Sequence, residues 1–113
     1  MKADQVGKDA EDRALSFLEQ KGLRLIERNY RSRFGEIDLV MREGGTIVFV
    51  EVRYRCNKTF GGASYSVTTA KQGRLLATAE QFLQQHAPQY PARMDVLALE
   101  GNAIEWIKNA FEA

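Results

Sequence analysis

The feature that most constrains the fold is a pair of apolar segments separated by two glycines. Residues 36–41 and 46–54 are rich in Ile, Val and Phe, and Gly44-Gly45 lies between them. Two extended segments joined by such a short glycine turn are typical of a β-hairpin, because the turn needs backbone angles that glycine adopts without strain. The sequence therefore predicts an antiparallel hairpin in the first half of the chain.

The register of this hairpin brings acidic residues together. If Gly44-Gly45 is a two-residue turn, counting outward places Asp38 opposite Glu51 and Glu36 opposite Arg53. Directly opposed side chains have Cβ atoms about 4.5–5.5 Å apart, and like charges in that arrangement are destabilising. A hard cation such as Mg²⁺ or Mn²⁺, bound through carboxylate oxygens, would compensate. The pairing therefore predicts a metal site at Asp38 and Glu51.

The second strand of the hairpin changes character along one face. Ile47 and Phe49 are apolar, whereas Glu51, Arg53 and Arg55 on the same face are charged, and the opposite face stays apolar. Such a face runs from the core into a charged cleft that is partly shielded from water. The Arg53 guanidinium could there offset charge on a transferring phosphoryl group.

The same charges also allow an ordinary salt-bridged hairpin. Glu36 would then pair with Arg53, and Asp38 with an arginine on an adjacent strand. A bulge in the loop would shift the register by one residue and move Asp38 to the face of Val50 and Val52. Pairing arguments alone leave these alternatives open.

Two helices are predicted on either side of the hairpin. Apolar residues at helical spacing over about 5–21 predict the first helix, which Gly22 would end. The second is predicted from an apolar face over residues 75–83, with Thr68 or Thr69 as its N-cap. A loop containing glycines, residues 57–66, should precede it.

Short strands complete the predicted fold. Alternation over residues 23–28 gives a weak strand signal, and residues 94–99 and 103–107 read as two further strands. Asp95 after Arg93 predicts a structural ion pair. With no linker or repeat in the 113 residues, we expect one domain over residues 1–113 of the α/β (α+β) class, a mixed central sheet flanked by two helices.

Composition limits which binding partners and which cellular compartment we expect. The net charge of +1 gives no general attraction to nucleic acid or membrane, so such binding would need local clusters of charge. Cys56 is the lone cysteine, which favours a free thiol in a reducing compartment. The first residues lack the apolar run of a signal peptide or membrane span, so we expect a cytoplasmic protein without membrane contact.

A basic run lies beside the hairpin. Arg31 and Arg33, together with Arg53 and Arg55, would place cations around the predicted site, as contacts to a phosphate backbone require. A solvated basic face explains the same run equally well.

The hairpin residues resemble a nuclease motif. Gly35-Glu36-Ile37-Asp38-Leu39-Val40, followed by Val48-Phe49-Val50-Glu51-Val52-Arg53, is similar to the PD-(D/E)XK motif and more closely to the YraN family of bacterial proteins, related to archaeal Holliday junction resolvases. The resemblance covers nearly the whole chain; its other stretches are Gly7-Lys8-Asp9-Ala10-Glu11, Arg28-Asn29-Tyr30-Arg31, Phe60-Gly61, Lys71, Arg93-Met94-Asp95-Val96 and Trp106-Ile107-Lys108-Asn109-Ala110-Phe111. It implies a restriction-endonuclease-like αβββαβ core.

The resemblance also implies roles for individual residues. Asp38 and Glu51 would bind Mg²⁺ or Mn²⁺, with the Val52 backbone carbonyl as a further ligand and Glu11 approaching from the first helix. Arg53 takes the position where the motif usually has lysine. Arginine is effectively never deprotonated and cannot act as a general base, so proton abstraction would fall to metal-bound water.

Lys71 could replace the missing lysine or contact a phosphate. The resulting hypothesis is a metal-dependent endonuclease that hydrolyses DNA, including branched or repair intermediates. The alternative is a catalytically inactive nucleic-acid-binding module that retains the nuclease fold, and a protein-interaction adaptor is a third possibility. Symmetric cutting of two strands would favour a homodimer.

Overall fold

The computed structural model describes residues 3–55 and 67–112, without the side chains of residues 3–6 and Arg55. Cys56 and the predicted glycine-containing loop 57–66 lie outside the described residues. The elements are α1 (Ala3–Gln20), β1 (Arg24–Arg31), β2 (Glu36–Glu43), β3 (Thr46–Arg55), α2 (Thr69–His86), β4 (Ala92–Glu100) and β5 (Ala103–Ile107). The predicted order of helices and strands is confirmed.

The strands form one mixed sheet in the order β1-β2-β3-β4-β5. The β3–β4 pair is parallel, and the other neighbouring strands are antiparallel. A parallel pair needs a crossover connection, and α2 lies in the segment between β3 and β4. The predicted α+β class is confirmed, and the arrangement is compatible with a restriction-endonuclease-like core.

Each face of the sheet packs against one helix. On one face the α1 residues Ala10, Ala14 and Leu18 share a buried cluster with residues of β2, β3 and β4. On the other face Leu75 and Phe82 of α2 belong to a second buried cluster. In the part of the chain that the structure describes, no helix is long and apolar enough to cross a membrane.

The predicted register of the hairpin is confirmed. Gly44 has φ +58°, a left-handed conformation that glycine adopts readily, at the first position of the turn. The strands pair from Glu43–Thr46 to Leu39–Val50. No register shift occurs between these pairs, so the bulge considered for the loop is absent, and Asp38 and Glu51 lie one step beyond the last pair.

The irregular strand is β1, which the sequence predicted least well. It extends to Arg31, its register against β2 shifts between Leu25 and Glu27, and Asn29 has φ +53°. Within the basic run Tyr30 is a core residue, because it is 7% exposed and its hydroxyl donates to Gln85 Oε1 at 3.1 Å. The residues on either side of Tyr30 therefore point away from the core.

Candidate metal centre

The candidate site lies where β2 and β3 separate. Their pairing ends at Leu39–Val50, whereas β3 remains paired with β4 as far as Arg55. Just past the separation, the backbone N–H of Val52 donates to Oδ2 of Asp38 at 2.8 Å. The N–H and C=O of one strand residue point to the same side of the strand. The carbonyl of Val52 therefore faces the gap that holds the Asp38 carboxylate.

Glu51 is the buried acid of the site. Its side chain is 4% exposed, and its Oε2 lies 2.6 Å from Nζ of Lys71, which is 39% exposed. Ile47 and Phe49, on the same strand face as Glu51, pack in the cluster on the α2 side of the sheet. This face therefore runs from the apolar core to Glu51, as the sequence predicted, and α2 supplies the cation that meets it.

The ionisation of Asp38 is strongly perturbed. Burial raises its pKa most, and the negative charge of Glu51 raises it further, while the hydrogen bond from Val52 opposes both effects. The charge of Glu11 and hydrogen bonding with Glu51 add smaller upward contributions. Together they raise the pKa of Asp38 from 3.8 to about 8. The site is therefore short of positive charge when Asp38 is ionised.

Glu11 approaches from α1 but is held by β1. Its carboxylate oxygens accept hydrogen bonds from Nδ2 of Asn29 at 3.2 and 3.3 Å, and Oε1 lies 3.5 Å from the Arg28 guanidinium. Glu11 is near enough to Asp38 to raise the pKa of that carboxyl. Sequence reasoning assigned no role to Arg28 or Asn29. Asparagine is among the few residues that adopt φ > 0 readily, but nothing in the spacing marks residue 29 as such a position.

These residues fit a hard divalent cation, although the protein itself offers only a few ligands. Among the residues the structure describes, no group of three or more His, Cys, Asp or Glu side chains could hold a metal ion. The gap instead offers the Asp38 and Glu51 carboxylates and the Val52 carbonyl. Mg²⁺ is commonly bound by one or two carboxylates, with water and substrate phosphate oxygens completing its shell. The upward shift in the pKa of Asp38 is what such a cation would reverse.

The arginines of the site are arranged differently from the salt-bridge alternative. Glu36 Oε2 pairs with Arg31 Nε at 3.0 Å, and Arg31 is 79% exposed. Arg53, which that alternative paired with Glu36, is half-buried on β3. Arg33 lies over the exposed ring of Phe34, 4.9 Å from its centroid. The side chain of Arg55, predicted to bind nucleic acid, lies outside the described residues.

A cleft of about 500 Å³ opens beside Glu11. Lys8, Arg28 and Arg31 line it together with the acids Glu11 and Glu36. Lys8 joins Arg31 there, although it was not among the residues predicted to bind nucleic acid. The cleft therefore carries three cations and two anions, and one of these anions, Glu11, raises the pKa of Asp38.

The fold and the carboxylate pair define a small α+β protein with a candidate divalent-metal site. Residues 10–99 match the model of the Uncharacterised protein family UPF0102. The chain is 53% identical over 113 residues to a UPF0102 protein of Nitrosomonas europaea, covering 97% of this chain and 96% of that protein. It is 55% identical over 114 residues to one of Ralstonia nicotianae, covering 96% and 88%, and 54% identical over 112 residues to one of Methylobacillus flagellatus, covering 96% and 98%.

The chain therefore belongs to the UPF0102 family. This is the YraN family that the motif resemblance indicated, a group similar to PD-(D/E)XK nucleases.

Proposed function

We propose that this protein is a metal-dependent endonuclease that hydrolyses phosphodiester bonds in DNA, including branched or repair intermediates. The observation that carries the proposal is the acid pair Asp38 and Glu51 at the point where β2 and β3 separate. Strongly perturbed carboxyls in a cleft are typical of functional sites, because burying like charges together is costly without a ligand to compensate.

Each residue of the pair has a defined part in the proposal. Asp38 and Glu51 hold Mg²⁺ or Mn²⁺, and Val52 orients Asp38 through its N–H while offering its carbonyl. A divalent cation bound there supplies a nucleophile by lowering the pKa of a bound water. The Arg53 guanidinium stabilises the negative charge that develops on the phosphoryl oxygens.

Cations around the pair support DNA as the substrate. Lys8 and Arg31 line the cleft beside Glu11, and Arg33 is exposed in the segment between β1 and β2, so all three can contact backbone phosphates. A DNA substrate agrees with the expected cytoplasmic location. Cutting two strands symmetrically would need two copies related by a two-fold axis, so we include a homodimer in the proposal.

A cleavage assay tests the proposal. Labelled four-way junction, flapped, duplex and single-stranded DNA are incubated with the protein in Mn²⁺ or in EDTA. We expect Mn²⁺-dependent cleavage that falls by about a hundredfold in Asp38→Asn, a variant that retains an oxygen to accept the Val52 hydrogen bond. Glu105→Gln is the matched control, because it removes one exposed carboxylate from β5 at the far edge of the sheet. Absence of metal-dependent cleavage on all four substrates refutes the proposal.

The alternative function is a nucleic-acid-binding module without catalysis. Two observations favour it, namely arginine at position 53 and the Lys71 ammonium that already pairs with Glu51. This alternative requires DNA binding that weakens with salt and is unchanged by EDTA. Stabilisation of the protein by Mn²⁺ in a thermal melt, lost in Glu51→Gln, would count against it.

A further inference from the structure

Lys71 is a positive charge at a position where helix electrostatics disfavour one. It is the third residue of α2, and its backbone N–H donates to the N-cap side chain of Thr68 at 3.2 Å. The N-terminal turn of a helix carries the positive end of the helix dipole, so anions are favoured there and cations are not. The first turn of α2 has no acidic residue. Departures from local preference of this kind are expected at functional sites.

The partner of Lys71 explains why a cation is placed there. Nζ of Lys71 lies 2.6 Å from Oε2 of Glu51, and the Glu51 side chain is almost fully buried. A buried carboxylate without a neighbouring cation is costly. In the metal-free protein Lys71 therefore supplies the positive charge that Glu51 requires.

The same carboxylate is a predicted metal ligand, so the ammonium and a divalent cation compete for it. The Lys71 ammonium can move away from Glu51, because it is carried on a flexible four-carbon chain and the side chain is 39% exposed. Its backbone is fixed independently by the Thr68 cap. Lys71 can thus leave Glu51 without displacing α2.

We propose that Lys71 and the divalent metal exchange at Glu51, so that the ammonium neutralises this carboxylate in the metal-free protein and turns to a substrate phosphate in the loaded one. The inference rests on the metal site of the proposed function. It means that the lysine missing at position 53 is supplied from α2. Metal binding and phosphate binding are then positively linked through one side chain.

The first test measures metal affinity rather than cleavage. Mn²⁺ is titrated into the wild type and Lys71→Gln, with free Mn²⁺ followed by electron paramagnetic resonance. We expect Lys71→Gln to bind Mn²⁺ about tenfold more tightly, because the competing cation is gone. Arg74→Gln is the matched control, since it removes another positive charge of α2 from a residue outside the proposed metal site. The Mn²⁺ affinity of this control should change by less than about threefold if direct competition, rather than general electrostatics, causes the tighter binding of Lys71→Gln.

The second test measures DNA affinity in two metal states. DNA binding is compared in EDTA and in Ca²⁺, used as a hard cation that loads the site. Lys71→Gln should bind DNA about threefold to tenfold more weakly than the wild type in Ca²⁺ and equally well in EDTA. A lysine with a structural role alone would have the same effect in both conditions. Circular dichroism melts of the variants confirm that they are folded, and Lys71→Arg serves as a second folded variant that keeps the charge.

The outcomes separate this inference from the proposed function. If the wild type binds Mn²⁺ and Lys71→Gln does not bind it more tightly, the exchange is refuted while the metal site stands. If Lys71→Gln binds Mn²⁺ and the wild type does not, Lys71 blocks the site permanently and the nuclease proposal fails. If neither protein binds Mn²⁺, both are refuted. Equal losses of DNA affinity in EDTA and Ca²⁺ also refute the exchange.

Discussion

Asp38→Asn tests whether the carboxylate pair destabilises the folded protein in the absence of metal. The substitution removes the charge that Glu51 and Glu11 repel, and it leaves an amide oxygen that can accept the 2.8 Å hydrogen bond from the Val52 N–H. The side chains have nearly the same shape, so packing should change little. In the absence of metal we expect Asp38→Asn to be more stable than the wild type, by an amount that depends on pH.

The pH dependence follows from the pKa of Asp38. That pKa is about 8 in the folded protein against an ordinary value of 3.8, so the folded state holds a proton that the unfolded state has lost between these values. The contribution of Asp38 to the free energy of unfolding of the wild type therefore falls as pH rises from about 4 through about 8. Each tenfold change in an ionisation constant corresponds to about 1.4 kcal/mol, which sets an upper limit of about 6 kcal/mol. Since the Asp38 side chain keeps some contact with water, we expect a loss of about 1–3 kcal/mol.

Urea unfolding in EDTA at pH values from 4.5 to 9 measures this loss. The advantage of Asp38→Asn over the wild type should be near zero at the acid end and should grow to about 1–3 kcal/mol at the alkaline end. Glu105→Gln, which removes an exposed carboxylate, should show no such growth. Saturating Mn²⁺ should reverse the order, because it stabilises the wild type alone. An advantage that does not change with pH, or an Asp38→Asn variant that Mn²⁺ stabilises as much as the wild type, refutes the reasoning.

Three further predictions concern the same sheet. Mn²⁺ binding should release about one proton per site near pH 6–7 and fewer above pH 9, because Asp38 must ionise to bind; calorimetry in two buffers of different ionisation enthalpy measures the number. Gly44→Ala should cost about 1–2 kcal/mol, since φ is +58° there, whereas Gly45→Ala in the same turn should be nearly neutral in urea unfolding. Asp95→Ala should lower the unfolding free energy by about 3–5 kcal/mol, because it removes the acceptor of three hydrogen bonds, from Arg93, Trp106 and Asn109; equal stability of this variant and the wild type would contradict that.

Much of the fold was predictable because the strongest signals are local. The Gly44-Gly45 turn sets the hairpin register within a few residues, and counting outward from it brings Asp38 and Glu51 to the end of the paired region, where the strands separate. Thr68 was one of the two predicted N-caps of α2 and is the one used. Turn and cap preferences act over one to four residues, so a sequence displays them directly.

The parts that escaped prediction depend on contacts between distant segments. The Lys71–Glu51 ion pair joins residues 20 positions apart and depends on α2 packing against the face of the sheet that carries Glu51. Strict alternation would place Ile37 with Leu39, yet Ile37 packs in the cluster on the α2 side. The bulge in β1 and the left-handed Asn29 are set by the path of an edge strand. The spacing of residues in the sequence indicates neither the bulge nor the left-handed conformation of Asn29.

Two acids in one sheet, Asp95 and Asp38, show what distinguishes a structural carboxylate from a candidate ligand. Asp95 is fully buried and accepts hydrogen bonds from the Arg93 guanidinium at 3.0 Å, the Trp106 indole at 2.8 Å and the Asn109 backbone N–H at 2.8 Å. The predicted Arg93–Asp95 ion pair is thereby confirmed, and the acid has a cation and two neutral donors of its own.

Asp38 has fewer hydrogen-bond donors around it than Asp95, and its charged neighbours are acids. The described residues give its carboxylate one backbone donor, from Val52, and place two further acids, Glu51 and Glu11, close enough to raise its pKa. Lys71 compensates Glu51, but its charge does not keep the pKa of Asp38 in the ordinary range. At neutral pH the negative charge of the site is therefore balanced by a proton on Asp38 and by the Lys71 ammonium beside Glu51. A proton and a flexible lysine side chain are both exchangeable cations, whereas Asp95 accepts three hydrogen bonds at once, from β4, from β5 and from the backbone that follows β5. That difference in exchangeability is the physical ground for proposing metal binding at Asp38 and Glu51 rather than at Asp95.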